Sequence, residues 1–267
     1  MRLSSAITRL TEAGIDEARL EARILFSKIG GIKDCELLFD PECDSDELEA
    51  AIEKRCQRIP LAYILGEADF YRESYRVTPD CLIPRPETEL LVDYAVNHIP
   101  SGARFADICT GSGCIAISTL KNTKNTTAVA LDLSRAALAL AEENAERNGV
   151  SGRIEFTLGD ALLGIEGRFF AILSNPPYVS EEAYATLEAE IYAEPKMAFV
   201  GGKDGGDFYR RMIPIYKKNL TEGGFIAFEI GYDQGDLLRA LGGENGMTVS
   251  IIKDYSGQDR IAVLRPQ

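Results

Sequence analysis

Phe105-Ala106-Asp107-Ile108-Cys109-Thr110-Gly111-Ser112-Gly113 decides the fold: a short apolar run ends in a glycine-rich turn and passes at once into the helical pattern of Cys114–Lys121. Glycines in such a turn permit positive φ and let the backbone approach a ligand closely. From here on strand-like and helix-like runs alternate, the pattern of a doubly wound parallel α/β sheet. The predicted strands are Phe105–Ile108, Thr127–Leu131, Arg153–Thr157, Phe169–Leu173, Phe225–Ile230, Met247–Ile252 and Arg260–Leu264. The predicted helices are Cys114–Lys121, Arg135–Asn148, Phe208–Asn219, which Pro214 is expected to kink, and Gln234–Leu241. The last two strands follow each other without a helix and are expected to form an antiparallel edge hairpin.

Open α/β sheets keep their chemistry at the carboxyl ends of their strands, and acids stand there in order. Asp107 closes on the first turn, Asp132 ends the second strand, and Asp160 follows the third. Asp132 is placed to accept hydrogen bonds from both hydroxyls of a ribose, and Asp160 to meet an adenine edge. A pyrophosphate would want a full G-x-G-x-x-G, but Cys109 occupies the first glycine position. S-adenosylmethionine carries no phosphate, and its amino acid end suits Asp107 together with the backbone of Cys109 to Gly113. After the fourth strand comes Ser174-Asn175-Pro176-Pro177-Tyr178, which contains no acid, imidazole or thiol. Two prolines stiffen this loop and remove two backbone donors. The Asn175 side-chain oxygen and the Pro176 carbonyl can then each accept one N–H of a planar NH2 group, with the Tyr178 ring beside the acceptor and the cationic sulfonium. Glu194-Pro195 and the glycine-rich stretch Gly201–Gly206 read equally as a lid or peptide groove and as an irregular solvent loop.

The first 66 residues read as short helices, with Leu3, Ala6, Ile7 and Leu10 at helical spacing and Asp44 with Glu47 as a capping box for a later helix. Their apolar faces either pack on one another or leave a groove for a partner. Phe70-Tyr71 and Tyr75-Arg76-Val77 flank Arg72-Glu73-Ser74 as a connecting hairpin, and Pro84-Arg85-Pro86-Glu87-Thr88-Glu89 opens a helix. A formal charge of −13 and the absence of a basic run argue against extended contact with a phosphate backbone. The acidity fits a protein partner or a plain solvated surface. The six cysteines lack metal-ligand spacing and read as reduced structural thiols, and the lone His98 stands at a predicted helix end, so a histidine-dependent mechanism is not expected. No apolar run is long enough to span a bilayer and no signal sequence opens the chain, so the cytoplasm is the expected compartment.

These motifs resemble the class I S-adenosylmethionine-dependent methyltransferases, and within them the protein-(glutamine-N5) methyltransferases that modify peptide chain release factors, the PrmC/HemK family. The likeness is carried by Pro60–Gly66, Leu82–Glu89, Asp107–Gly113, Ser174–Tyr178, Glu194-Pro195, Phe208–Arg210 and Phe228–Gly231. It implies a seven-stranded Rossmann-like domain over 84–267, a helical substrate-recognition domain over 1–66 and a hairpin linker over 67–83. It also implies S-adenosylmethionine held by Asp107, Cys109, Thr110, Gly111, Ser112, Gly113, Asp132, Asp160, Ala161 and Asn175, and an acceptor glutamine held by Asn175, Pro176, Pro177 and Tyr178. The acceptor implied is the glutamine of a Gly-Gly-Gln loop in a class 1 release factor, methylated by a monomer. The Asn-Pro-Pro-Tyr motif is shared with amino-methyltransferases of adenine and guanine, which is the alternative. Three positions depart from the family: Cys109 replaces a glycine, which a negative φ would make harmless; Ala62 replaces a glutamine; and Ala161 replaces a larger apolar residue.

Overall fold

The computed structural model describes residues 1–267, which divide into two units: 1–68 with 188–193, and 69–187 with 194–267. In the first unit, helices α1 (Leu3–Glu12), α2 (Ala18–Lys28), α3 (Asp46–Cys56) and α4 (Leu61–Leu65) bury their apolar stripes against one another. Leu3, Ala6 and Leu10 of α1 meet Ala22, Leu25 and Phe26 of α2 and Leu48 and Ile52 of α3 in one core. Ser45, not Asp44, caps α3: its backbone is extended and its hydroxyl accepts the Leu48 N–H at 3.2 Å. The piece 188–193 is held by charge. Glu190 pairs with Arg55 at 3.0 Å and with Arg58 at 2.7 Å, while Arg55, buried, also binds Glu21.

The division between the units passes through strand β1 (Glu67–Phe70), which pairs with β2 (Glu73–Arg76). The hairpin turns at Tyr71 and Arg72, both at positive φ (49° and 77°), one residue earlier than the sequence pattern suggests. A two-residue turn of this hand matches the twist of the strands it joins. Tyr71 is held there by tertiary bonds, its N–H to Glu89 Oε1 at 2.8 Å and its hydroxyl to Asp93 Oδ1 at 2.6 Å.

The second unit continues as α5 (Glu89–His98), β3 (Arg104–Ile108), α6 (Cys114–Asn122), β4 (Thr127–Asp132), α7 (Arg135–Arg147), β5 (Ile154–Leu158), β6 (Phe169–Ser174), α8 (Glu181–Tyr184), α9 (Asp207–Tyr216), β7 (Leu220–Glu229), α10 (Gly235–Glu244), β8 (Met247–Lys253) and β9 (Asp259–Pro266). The seven-stranded sheet runs β5-β4-β3-β6-β7-β9-β8. β9 is antiparallel to both neighbours, so the terminal hairpin closes the sheet with its last strand inside and β8 at the edge. Successive residues of the central strands serve opposite faces. Phe105, Ala171 and Phe225 pack under α5 and α6, while Ala106, Ile172 and Ile226 pack under α9 and α10. Pro214 lies in the last turn of α9, which passes into a 3-10 turn at Lys217–Asn219. No helix is long and apolar enough to cross a membrane, and no disulfide joins any of the six cysteines. Strand order reverses at β3, whose neighbours are β4 and β6; a crevice therefore opens beyond the carboxyl ends of these strands.

Candidate active site

The turn after β3 is built from alternating left-handed residues, with Cys109 at φ 63°, Gly111 at 55° and Gly113 at 81°. Cys109 therefore does not have the negative φ that would make a side chain harmless. An L-residue there costs on the order of 1–2 kcal/mol. The thiol, packed at the edge of the core beneath α9, is held protonated by burial. Gly111 has open space where a side chain would sit, and its N–H donates to Asp132 Oδ2 at 2.9 Å. Gly113 is closed in: a Cβ would lie 2.9 Å from Ile117 Cδ1 and 3.1 Å from Ala141 Cβ. Gly113→Ala is accordingly expected to destabilise the protein by about 2 kcal/mol, combining left-handed strain with overpacking between α6 and α7. Urea unfolding monitored by circular dichroism measures this, and an unchanged midpoint would refute it.

Asp107 is fully buried under the turn. Its Oδ2 accepts from the Thr110 hydroxyl at 2.6 Å and the Ala116 N–H at 3.1 Å, whereas Oδ1 has no partner in the protein. An orphaned buried carboxylate oxygen beneath a ligand-facing turn fits a cationic amino group. Burial, aided by Asp132, pushes the carboxyl up to about 7 against the pull of its two hydrogen bonds. A carboxyl raised from 3.8 to about 7 on folding stabilises the protein while protonated, and that contribution is lost as pH rises across this window. The ligand-free protein should thus lose stability between about pH 4 and 7, and affinity for a cationic ligand should rise over the same range. Asp107→Asn should flatten both dependences. Thermal midpoints and calorimetric titrations at several pH values test this, and a variant that keeps the wild-type slopes would assign them elsewhere.

Asp132 is fixed by two backbone donors, Gly111 N to Oδ2 and Ser134 N to Oδ1, both at 2.9 Å. Asp160 receives the Leu162 N–H on Oδ1 at 2.8 Å. A cavity of about 250 Å³ fills the crevice. Its wall includes Cys109, Thr110, Gly111, Ser112, Asp132, Asp160, Ala161, Asn175 and Pro177. Asp107, Gly113, Pro176 and Tyr178 are not part of that wall. Pro176 is buried behind Asn175 with its carbonyl accepting no hydrogen bond, and Tyr178 turns its hydroxyl away to Glu229 Oε1 at 3.1 Å. His98 bonds the Tyr94 carbonyl and stacks on its ring, outside the cavity.

Three residues of the site carry no obvious chemical label in the sequence. Asn175 Nδ2 donates to Thr88 Oγ1 at 3.2 Å, and Thr88 donates to Glu229 Oε2 at 2.6 Å. Glu229, an acid within the apolar run of β7, is 1 % exposed, and burial raises its pKa against the hydrogen bonds of Thr88 and Tyr178. Such a residue in a core strand is the signal that could have found it. Glu194 is likewise buried; it accepts the Ile83 N–H at 2.9 Å and pairs with Arg85, fixing the cavity's other wall. The glycine-rich stretch packs against the proline loop through Gly201 and Gly205, while Lys203 and Asp204 are exposed. A Cβ on Gly201 would fall 2.3 Å from the Pro177 carbonyl and one on Gly205 2.1 Å from that of Tyr178, so only glycine lets this segment buttress the proline loop. Across the same contact the Val179 N–H donates to the Phe199 carbonyl at 2.8 Å and the Gly201 N–H to the Val179 carbonyl at 2.9 Å, while Gln234 Nε2 donates to the Tyr178 carbonyl at 3.0 Å.

Comparison with known proteins places the chain among methyltransferases. Residues 86–203 match the family model described as the methyltransferase small domain, and residues 3–66 match the PrmC N-terminal domain. The chain is 38% identical to the release factor glutamine methyltransferase of Cereibacter sphaeroides, over 98% of this chain and 96% of the relative. It is 36% identical to that of Moorella thermoacetica, over 97% and 95% of the two chains. Among solved structures, ribosomal protein L11 methylase from Lactobacillus delbrueckii superposes with a TM-score of 0.52 at 22% identity, over 68% of this chain and 80% of that one, a likeness of fold alone.

Proposed function

The chain belongs to the release factor glutamine methyltransferase family, and from that premise we propose that its cavity methylates the side-chain amide nitrogen of the glutamine in a release factor's Gly-Gly-Gln loop. S-adenosylmethionine supplies the methyl group. The observation that carries the acceptor reading is the state of Asn175, a residue of the cavity wall: its NH2 donates to Thr88, while its oxygen has no partner in the protein. Such an oxygen suits an N–H donor.

An amide nitrogen is a poor nucleophile because its lone pair is delocalised into the carbonyl. Orientation is therefore the main task of the protein. Asn175 Oδ1 accepts an N–H of the glutamine and turns the nitrogen toward the methyl donor. Positioning of this kind contributes on the order of 7–11 kcal/mol in favourable cases. The two buried acids beside the cavity are engaged, Glu229 by Thr88 and Tyr178 and Glu194 by Arg85. Loss of the proton after transfer, when the nitrogen is acidic, needs none. Asp132 holds the ribose, Asp160 the adenine edge, and Asp107 the amino group from below the turn. Asn175, Pro177 and the turn residues Cys109 to Ser112 complete the wall of the cavity.

The charge of −13 supports a protein acceptor over nucleic acid, and we read the enzyme as a cytoplasmic monomer. Incubation with methyl-labelled S-adenosylmethionine and purified release factor should label the protein. The same factor with its glutamine replaced by alanine, and duplex DNA or RNA, should stay unlabelled. Label entering nucleic acid and never the Gly-Gly-Gln loop would overturn the assignment.

A further inference from the structure

A carboxamide has an oxygen end and an NH2 end of nearly the same shape, and only its partners decide which one faces a ligand. For Asn175 that decision rests on one hydroxyl. Thr88 is 2 % exposed and has a single proton, with Glu229 Oε2 at 2.6 Å and Asn175 Nδ2 at 3.2 Å. Glu229 accepts from Thr88 on one oxygen and from Tyr178 on the other, so the Thr88 proton goes to Glu229 and Thr88 keeps only lone pairs for Asn175. Reversing the carboxamide would set oxygen against oxygen. The Tyr178 hydroxyl occupies the other carboxylate oxygen at 3.1 Å, so both oxygens of Glu229 are engaged and the relay is fixed at its base.

We propose that Thr88, backed by Glu229 and Tyr178, is a positioning residue that sets the specificity of the acceptor site for glutamine over glutamate. The inference rests on the glutamine reading above. With the Asn175 oxygen locked toward the acceptor, an amide finds a partner for its N–H. A glutamate carboxylate, which differs by one NH2 replaced with O⁻, would meet a lone pair with a lone pair. Sites built to bond an N–H reject analogues that lack it, because both sides are left with unmatched polar groups.

The test compares wild type with Thr88→Val and Thr88→Ser, using release factor as acceptor and its Gln-to-Glu form as competitor. In wild type the Glu form should bind at least about 100-fold more weakly than the Gln form; Thr88→Val should narrow the ratio below about 10-fold and lower kcat about 100-fold, with the cofactor dissociation constant within about threefold. Thr88→Ser keeps the hydroxyl and should keep both properties. If the valine variant does not fold, Thr88→Ala, which leaves room for water at Glu229, takes its place. A merely structural role would not move the Gln/Glu ratio. Unchanged discrimination in Thr88→Val, or a serine variant as defective as valine, would overturn the proposal. A second readout needs no acceptor: the Asn175 side-chain NH2 signal in NMR, assigned by its loss in Asn175→Ala. The separation of its two proton shifts should exceed that of a free carboxamide in wild type and Thr88→Ser, and fall to the free-carboxamide value in Thr88→Val. A wild-type enzyme that methylates no glutamine but shows this pattern would sink the glutamine reading while leaving the Thr88 relay intact. Glutamine methylation with an NMR pattern indifferent to Thr88 would sink the relay alone.

Discussion

Asn175→Ala should lower kcat about 10³-fold while leaving the dissociation constant of S-adenosylmethionine within about threefold, the range seen when a single preorganised polar group is removed from a reaction centre. The asymmetry follows from where its bonds go. Its NH2 reaches Thr88, and its oxygen has no protein partner in a residue that lines the cavity. Truncation deletes the acceptor for the glutamine N–H and leaves Asp132 and Asp160 in place. Thr88 loses only a donor to its lone pairs; its own proton stays on Glu229, so no buried donor is orphaned and the thermal midpoint should shift by a few degrees at most. Single-turnover transfer measured beside calorimetric cofactor binding separates the two effects. A comparable loss in both would mean that Asn175 shapes the loop and not the reaction.

The contrast between what the sequence disclosed and what it hid has a physical pattern. The central strands were readable because a parallel sheet covered on both faces demands continuous apolar runs, as in Phe169–Leu173, and little else produces them. β7 begins at Leu220, earlier than its apolar run, because Leu220 pairs with Phe169 ahead of an irregularity, Thr221 to Gly224 with Gly223 at positive φ, that leaves no hydrophobic trace. The hairpin turn moved to Tyr71 because Glu89 and Asp93 hold that residue from outside the hairpin. Asp132 and Asp160 were legible from position relative to a strand end. The Thr88–Glu229 bond was not, since its partners lie 141 residues apart and each has a bland local explanation. The left-handed Cys109 was hidden for a different reason: a cysteine carries no mark of the sign of its φ, and here the turn geometry overrides the residue's preference.

Asp132→Asn should weaken S-adenosylmethionine binding by about 100-fold, close to the effect of alanine, although the substitution is nearly isosteric. Both oxygens of Asp132 already accept a backbone N–H, from Gly111 and from Ser134. A carboxamide has one oxygen and one NH2, so in either orientation an N–H donor faces another donor. One of the two backbone bonds breaks, and the side chain swings off the ribose. Charge-assisted hydrogen bonds contribute about 1.5–3 kcal/mol each, so losing the charge and one ribose bond costs about 3 kcal/mol, or roughly 100-fold in affinity. At saturating cofactor kcat should fall by no more than about threefold, because this interaction serves ground and transition states alike. Calorimetric titration and steady-state transfer at several cofactor concentrations measure the two quantities. A variant with wild-type affinity would show that the ribose is held elsewhere. One with intact affinity and a collapsed kcat would place Asp132 at the reacting centre.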